Sequence, residues 1–157
     1  MPEESLRVVF DCNIFLQGAA NRNSPARQAL RLFFDGSITL FVSEAVLAEI
    51  RDVLSRPRIR QKFPRLSTRL VDALLQKIER EAILIKNVPE EYHFERDPKD
   101  ECYINLAVVT NAIYLVSRDS DLLDLMRTDM PEAKNFRTRY PMLKILDAPS
   151  FLNLIDL

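Results

Sequence analysis

The stretch Leu6-Arg7-Val8-Val9-Phe10-Asp11-Cys12-Asn13 decides the fold, because an almost uninterrupted apolar run ends there in an acid and an amide. Such runs are typical of central strands in a parallel sheet, which are buried on both faces. Further along the chain, short apolar runs alternate with amphipathic segments, as in βαβ units. We therefore expect an α/β fold in three layers, α/β/α, with a mostly parallel sheet of about five strands. The length of 157 residues fits a single domain over 1–157.

Element boundaries follow from caps, prolines and apolar periodicity. Ser24-Pro25 opens a helix that Gly36 closes, and Ser43 caps the next helix, which Pro57 ends. The remaining pattern predicts strands over 6–10, 37–42, 82–88, 112–117 and 143–146, and helices over 68–81, 99–110, 122–126 and from Pro149 onward. The 99–110 helix is apolar nearly all round and should be sandwiched, whereas 127–142 should be irregular.

The amino-acid composition excludes several classes of functional site. The formal net charge is −1, so no global basic field indicates a nucleic-acid binder. Gly18 and Gly36 are the only glycines, which excludes the glycine-rich loops of P-loop and dinucleotide-binding proteins. His93 is the sole histidine, so neither a His/Cys zinc site nor Ser-His-Asp catalysis is expected. The chemistry should therefore come from carboxylates.

The sequence indicates neither export nor a membrane location. Cys12 and Cys102 lie in segments predicted to be buried, and no framework of paired cysteines is present. No apolar run approaches the roughly 20 residues that span a bilayer. The first strand begins within a few residues of Met1, which leaves no room for a targeting segment. We expect a reduced, cytoplasmic protein without membrane contact.

Two acids follow predicted strands. Asp11 comes directly after the first strand and Asp119 after the fourth, and ligands of open parallel sheets bind beyond the carboxyl ends of the strands. Each position also has a purely structural interpretation. Asp11 and Asn13 are typical turn residues, and Asp121 is a typical cap for the following helix.

Further acids lie on predicted helices. Glu49 borders the buried face of the helix after Ser43, where a carboxylate can be solvated or can face a cleft. Asp100 and Glu101 fall in the first turn of the 99–110 helix, where acids also stabilise the helix dipole by roughly 0.3–1 kcal/mol.

In combination, these acids predict a metal site at one edge of the sheet, formed by Asp11, Glu49, Asp100 and Asp119. Carboxylates about 5 Å apart repel by roughly 3 kcal/mol per pair at an effective dielectric constant of ~20. A cluster therefore requires protonation or a bound cation. Oxygen ligands without histidine or cysteine favour Mg²⁺ or Mn²⁺, and such ions activate water for phosphodiester cleavage.

In their order and spacing, these motifs resemble those of PIN-domain nucleases, and more closely the small VapC-like toxins. The family pattern begins with a strand and Asp-x-Asn, as in Asp11-Cys12-Asn13, and places a glutamate after the second strand, as at Glu49. It continues with Asp-Pro-x-Asp, as in Asp97-Pro98-Lys99-Asp100. It ends with Ser/Thr-x-Asp before Asp-Leu-Leu, as in Ser117-Arg118-Asp119-Ser120-Asp121-Leu122-Leu123. The match covers residues 6–125.

The resemblance implies a divalent-metal-dependent endoribonuclease, often the toxin of a toxin–antitoxin pair and often a homodimer. By resemblance, Asn13 and Ser117 orient the first and last carboxylates. Glu101 competes with Asp100 for the third position, with Asp100 favoured, and Glu101 and Asp121 are further candidate ligands. The alternative is a PIN-like module that binds RNA or a protein without cutting.

An RNA substrate also requires a positively charged surface. Seven basic residues form a run broken only by Asp52, namely Arg51, Arg56, Arg58, Arg60, Lys62, Arg65 and Arg69. Arginine and lysine neutralise phosphates, so we expect Arg58, Arg60 and Lys62 to bind RNA. A solvated helical turn is an equally good interpretation of this run.

Overall fold

The computed structural model describes residues 5–155, so the first four and last two residues of the expected 1–157 domain lie outside the described residues. Five parallel strands form one sheet in the order β3-β2-β1-β4-β5. The strands are β1 Leu6–Phe10, β2 Ile38–Ser43, β3 Ile83–Ile85, β4 Tyr114–Val116 and β5 Lys144–Leu146. The predicted α/β class and parallel sheet are confirmed.

The helices cover both faces of this sheet. They are α1 Cys12–Ala20, α2 Pro25–Phe34, α3 Glu44–Ser55, α4 Pro57–Lys62, α5 Thr68–Glu81, α6 Glu101–Val109, α7 Ser120–Arg127, α8 Pro131–Arg139 and α9 Ala148–Ile155, with a 3-10 turn at Pro98–Asp100. Helix α6 packs against β1, β2 and β4, while α2 packs against β2 and α9. Within residues 5–155, no helix has both the length and the apolar character needed to cross a membrane.

Strand β1 is the centre of the fold. It pairs with β2 on one side and with β4 on the other, where Phe10 lies opposite Val116. Val8, Val9 and Phe10 are each at most 1% exposed, and because successive strand residues point to opposite faces, both faces of β1 are covered. The paired strands β1 and β4 therefore end side by side, and the residues that follow them lie close together.

The predicted helix ends are confirmed where cap chemistry is strong. Ser24, Ser43 and Ser67 each accept a hydrogen bond from the backbone N–H three residues later. Gly36 follows the end of α2 with φ of +83°, and Ser37 donates its N–H to the Leu32 carbonyl at 2.9 Å, as in a Schellman motif.

Other predicted elements were wrong. Residues 127–142 were expected to be irregular, but α8 lies there, a polar helix that buries only Ala133 and Phe136. Helix α1 was not predicted because the turn chemistry of Asp11 and Asn13 concealed its start. The third strand is three residues long rather than spanning 82–88, since the chain leaves the sheet after Ile85.

Candidate metal centre

Asp11 is held at the end of β1 by its neighbours. Its backbone N–H donates to the Val116 carbonyl at 3.0 Å, and its Oδ1 accepts from the Ile14 N–H at 3.2 Å, which caps α1. Its Oδ2 accepts from the Ser117 hydroxyl. Burial raises the pKa of Asp11 from 3.8 to about 6, although the bonds from Ser117 and Ile14 lower it and the Asp119 charge raises it.

Ser117 connects two of the predicted acids. It is completely buried just after β4, where its Oγ donates to Asp11 and accepts from the Asp119 N–H at 2.9 Å. The role inferred for Ser117, orientation of the carboxylates, fits these contacts. The pKa of Asp11 is also lowered by the backbone N–H of Asn13, so Asn13 acts on this carboxylate through its main chain.

Asp119 caps a helix and also lies close to two other acids. Its Oδ1 accepts from the Asp121 N–H at 2.8 Å and so caps α7. One of its carboxylate oxygens also lies within 4.8 Å of an oxygen of Asp97 and of an oxygen of Asp100, and these three oxygens are within that distance of one another.

Asp100 is the least satisfied acid in this cluster. It is 9% exposed, and its Oδ2 is buried without a hydrogen-bond partner among residues 5–155. Burial raises its pKa to about 9, and the adjoining Asp119 carboxylate and the charges of Asp97 and Asp11 raise it further. A buried carboxylate oxygen without a partner, beside two other acids, fits the needs of a hard divalent cation.

Asp97 is the ligand candidate that sequence reasoning missed. In the sequence it was noted as the first residue of the Asp-Pro-x-Asp motif. In the structure its Oδ1 accepts from the Lys99 N–H at 3.2 Å. The 3-10 turn that begins after it also brings its carboxylate to Asp100 and Asp119. The signal was available in Asp-Pro-x-Asp, since residues three apart share one turn of such a helix.

Glu49 lies to the side of this group of three. It is half-buried on α3 and accepts a hydrogen bond from the Cys12 thiol, with Sγ and Oε1 3.2 Å apart. Burial and the Glu49 charge raise the pKa of Cys102 to about 12. The buried Tyr103 hydroxyl has no hydrogen-bond partner among residues 5–155. Burial raises its pKa, and the nearby Cys12 and Glu49 raise it further. Glu49 is therefore next to neutral thiol and phenol groups, and it is not one of the three acids whose oxygens meet.

The side chains of Glu101 and Asp121 bind other partners. Glu101 Oε1 accepts from the Phe94 N–H at 2.9 Å, and its Oε2 lies 3.8 Å from Nδ1 of His93. Asp121 Oδ1 lies 2.6 Å from a guanidinium nitrogen of Arg96. Both side chains therefore stabilise the loop before the 3-10 turn, and neither belongs to the group of three acids.

The basic residues of α4 lie at the far end of α3 from the strand ends. Helix α3 begins at the carboxyl end of β2 and, with 12 residues, carries the chain about 18 Å before α4 starts. Arg58 and Lys62 are exposed on α4. Arg60 instead donates to the Leu54 carbonyl at 2.8 Å and to the Thr68 hydroxyl at 3.0 Å, so it joins α3 to α5.

Comparisons with known proteins agree with this architecture. A family model described as PIN domain matches residues 7–121. The uncharacterized protein MJ1680 of Methanocaldococcus jannaschii is 28% identical over 125 residues, which cover 80% of this chain and 78% of that protein.

Two solved structures share the fold. A chain in the crystal structure of VapBC2 from Rickettsia felis, bound to a DNA fragment from their promoter, has a TM-score of 0.52 and 17% identity. That match covers 90% of this chain and 98% of the other. PAE2754 from Pyrobaculum aerophilum has a TM-score of 0.53 and 14% identity, with 97% of this chain and 90% of the other covered.

Proposed function

The chain belongs to the PIN domain family, and on that premise we propose that it is a divalent-metal-dependent endoribonuclease that hydrolyses RNA phosphodiester bonds. The observation that carries the proposal is the buried, unpartnered Oδ2 of Asp100 beside Asp97 and Asp119. Three acids this close repel one another, and a cation offsets that repulsion. Oxygen donors alone favour Mg²⁺ or Mn²⁺.

In this proposal Asp11, Glu49, Asp100 and Asp119 are the catalytic metal ligands, and Asp97 joins them. A bound Mg²⁺ or Mn²⁺ would lower the pKa of water and stabilise charge on the leaving oxygen. Ser117 keeps the carboxylates of Asp11 and Asp119 together through its two hydrogen bonds. Glu49 approaches from α3, and its present bond to the Cys12 thiol is weak enough to be exchanged for a ligand.

The decisive experiment is cleavage of structured and unstructured RNAs by the purified protein in Mn²⁺ and in EDTA. We expect cleavage in Mn²⁺ alone. RNA binding without cleavage in any divalent metal would contradict the proposal and would favour the non-catalytic module.

We further propose that the protein works in the cytoplasm as a homodimer and as the toxin of a toxin–antitoxin pair. The toxin role is supported by the shared fold with a chain of the Rickettsia felis VapBC2 complex. A solution mass of twice 18.2 kDa by light scattering is expected for the purified chain. Its RNA cleavage should be suppressed by a cognate protein, found by screening the proteins encoded next to it.

The assignment of Asp100 rather than Glu101 predicts that Glu101→Gln keeps its metal-dependent cleavage. Glutamine still offers an oxygen to the Phe94 N–H, so the expected cost is the lost helix-dipole interaction of about 0.3–1 kcal/mol. Cleavage rates and urea unfolding of the variant and the parent provide the test. If Glu101→Gln abolishes cleavage while the protein stays folded, the ligand is Glu101.

The proposed RNA contacts predict that Arg58→Ser with Lys62→Ser weakens RNA binding alike for all sequences. Both side chains are exposed, so stability should not change, whereas Arg60 is left intact because it joins α3 to α5. The salt dependence of binding should flatten by roughly 0.7 in slope for each phosphate that is no longer neutralised. Arg80→Ser, on the exposed surface of α5, is the control. An unchanged slope of the salt dependence would show that these basic residues are solvated and do not contact RNA.

A further inference from the structure

A cleft of about 500 Å³ opens at the carboxyl edge of the sheet, between the α1–α2 turn and the loops after β4 and β5. Arg118 forms part of its wall and lies in sequence between Ser117 and Asp119. Consecutive Cα atoms are about 3.8 Å apart, so the cleft begins within one residue of the acid cluster.

Three polar residues hold the wall of this cleft in place. Asn21 Oδ1 accepts from the Asn23 N–H at 3.0 Å, and the Ser24 hydroxyl donates to the Asn21 carbonyl at 2.8 Å. Asp147 Oδ1 accepts from the Ser150 N–H at 2.9 Å, and the pKa of Asp147 is lowered by the Ser150 side chain and then by this backbone bond. These side chains are structural.

Three other polar side chains in the cleft are available to a ligand. Gln17, Asn23 and Arg118 make no side-chain hydrogen bond or ion pair within residues 5–155, and Asn23 and Arg118 are exposed. A carboxamide presents a donor and an acceptor together, which is the pattern of a nucleobase edge. A guanidinium matches the geometry of a phosphate. Polar side chains without a protein partner, next to the proposed phosphodiesterase site, can therefore bind a nucleotide.

The apolar surface of the cleft and the helix ends at its wall agree with such a ligand. Pro25, Leu123 and Pro149 supply apolar contact area for the face of a base. Helices α2 and α9 also begin at this wall, and the amino ends of helices add a favourable field for an anion.

The cleft on the other side of the acid cluster is acidic, whereas the charges of Arg118 and Asp147 balance in the first cleft. It encloses about 360 Å³ and carries Glu44, Glu90 and Glu101 against a single base, Lys99. Phosphate groups are repelled there, so the Arg118 side is where the RNA strand is expected to bind.

We propose that the cleft at Gln17, Asn23 and Arg118 is a nucleotide-binding subsite for one unpaired nucleotide of RNA beside the scissile phosphate. The two amides contact the base edge, and Arg118 binds the adjoining phosphate. An unpaired nucleotide is required because the base edges of double-stranded RNA are poorly accessible. The inference takes its ligand class from the proposed function, but base recognition does not depend on cleavage.

The test is binding without catalysis. Four fluorescent RNA pentanucleotides that differ only in the central base are titrated with the parent in EDTA. We expect one base to be preferred, and Gln17→Ala and Asn23→Ala to reduce this preference by about 10-fold, the scale of one side-chain contact with a base edge. Arg118→Gln should weaken all four alike and lower the salt slope by roughly 0.7.

Matched variants outside the cleft serve as controls. Gln76→Ala, Asn135→Ala and Arg80→Gln remove exposed side chains of the same types elsewhere and should leave the base preference and the salt slope unchanged. Melting temperatures of all variants check that the fold is intact.

The outcomes separate the subsite from the nuclease. If the parent shows no base preference, or if the preference survives all three cleft substitutions, the proposed subsite is wrong. Occupation of the cleft by a protein segment instead of RNA would give this result. A base preference that depends on Gln17 and Asn23, in a protein that cuts no RNA in Mn²⁺, supports the subsite and refutes the nuclease. Cleavage in Mn²⁺ with cut positions unchanged in the cleft variants supports the nuclease and refutes the subsite.

Discussion

Asp11→Asn is expected to cleave RNA at least 10²-fold more slowly than the parent in Mn²⁺, roughly the loss seen when a comparable electrostatic group is removed from an active site. The asparagine has nearly the same size and can still accept the Ile14 N–H that caps α1. It lacks the negative charge that a divalent cation requires. The loss should therefore appear in the cleavage step, measured as a single-turnover rate with saturating RNA.

Asp72→Asn is the matched control, because Asp72 is exposed on α5 and the substitution removes the same charge. Its cleavage rate should equal that of the parent. If Asp11→Asn cleaves as fast as the parent while both melt alike, Asp11 is only a helix cap and the proposed centre is wrong.

Asp100→Asn is expected to lose RNA cleavage in Mn²⁺ and yet to melt at a higher temperature than the parent in EDTA. In the metal-free folded protein, Asp100 must either carry a buried charge beside Asp97 and Asp119 or bind a proton to remove that charge, whereas in the unfolded chain these acids separate into water. An amide avoids both costs. A gain of about 1 kcal/mol corresponds to a few degrees in a domain of this size.

The same substitution should change how stability depends on pH. In the folded protein, burial and the adjoining Asp119 carboxylate raise the pKa of Asp100 well above its unfolded value of 3.8. The folded state therefore binds more protons between the two pKa values, and the stability of the metal-free parent falls as the pH rises. For one proton the slope is at most about 1.4 kcal/mol per pH unit. Asp100→Asn should flatten this dependence, so its advantage in melting temperature grows with pH.

Added Mn²⁺ should reverse the order of the two melting temperatures. Mn²⁺ binds the folded parent and raises its melting temperature, and Asp100→Asn should respond much less because it has lost a ligand. Asp119→Asn is a less direct test, since Asp119 also caps α7, although asparagine caps nearly as well. Equal responses of parent and Asp100→Asn to Mn²⁺ would remove Asp100 from the metal centre.

Local chemistry was enough to predict part of this molecule. The apolar run at Leu6–Phe10 indicated a central parallel strand, and the caps at Ser24, Ser43 and Gly36 located helix ends, because each signal acts within a few residues. Helix α5 has the bounds that its periodicity predicted. In contrast, α8 was missed, since a short polar helix with two buried residues has little periodicity of its own.

The sequence by itself determined that acids follow the buried strands β1 and β4, because parallel strands place their carboxyl ends at one edge of the sheet. Only the tertiary structure decided which acids meet. The contact of Ser117 with Asp11 joins residues 106 apart in sequence, and the contact of Cys12 with Glu49 joins residues 37 apart. The 3-10 turn brings Asp97 into the cluster, whereas Asp121 pairs with Arg96 and is not one of the three acids. Such choices depend on packing between distant segments, and the local sequence pattern does not specify that packing.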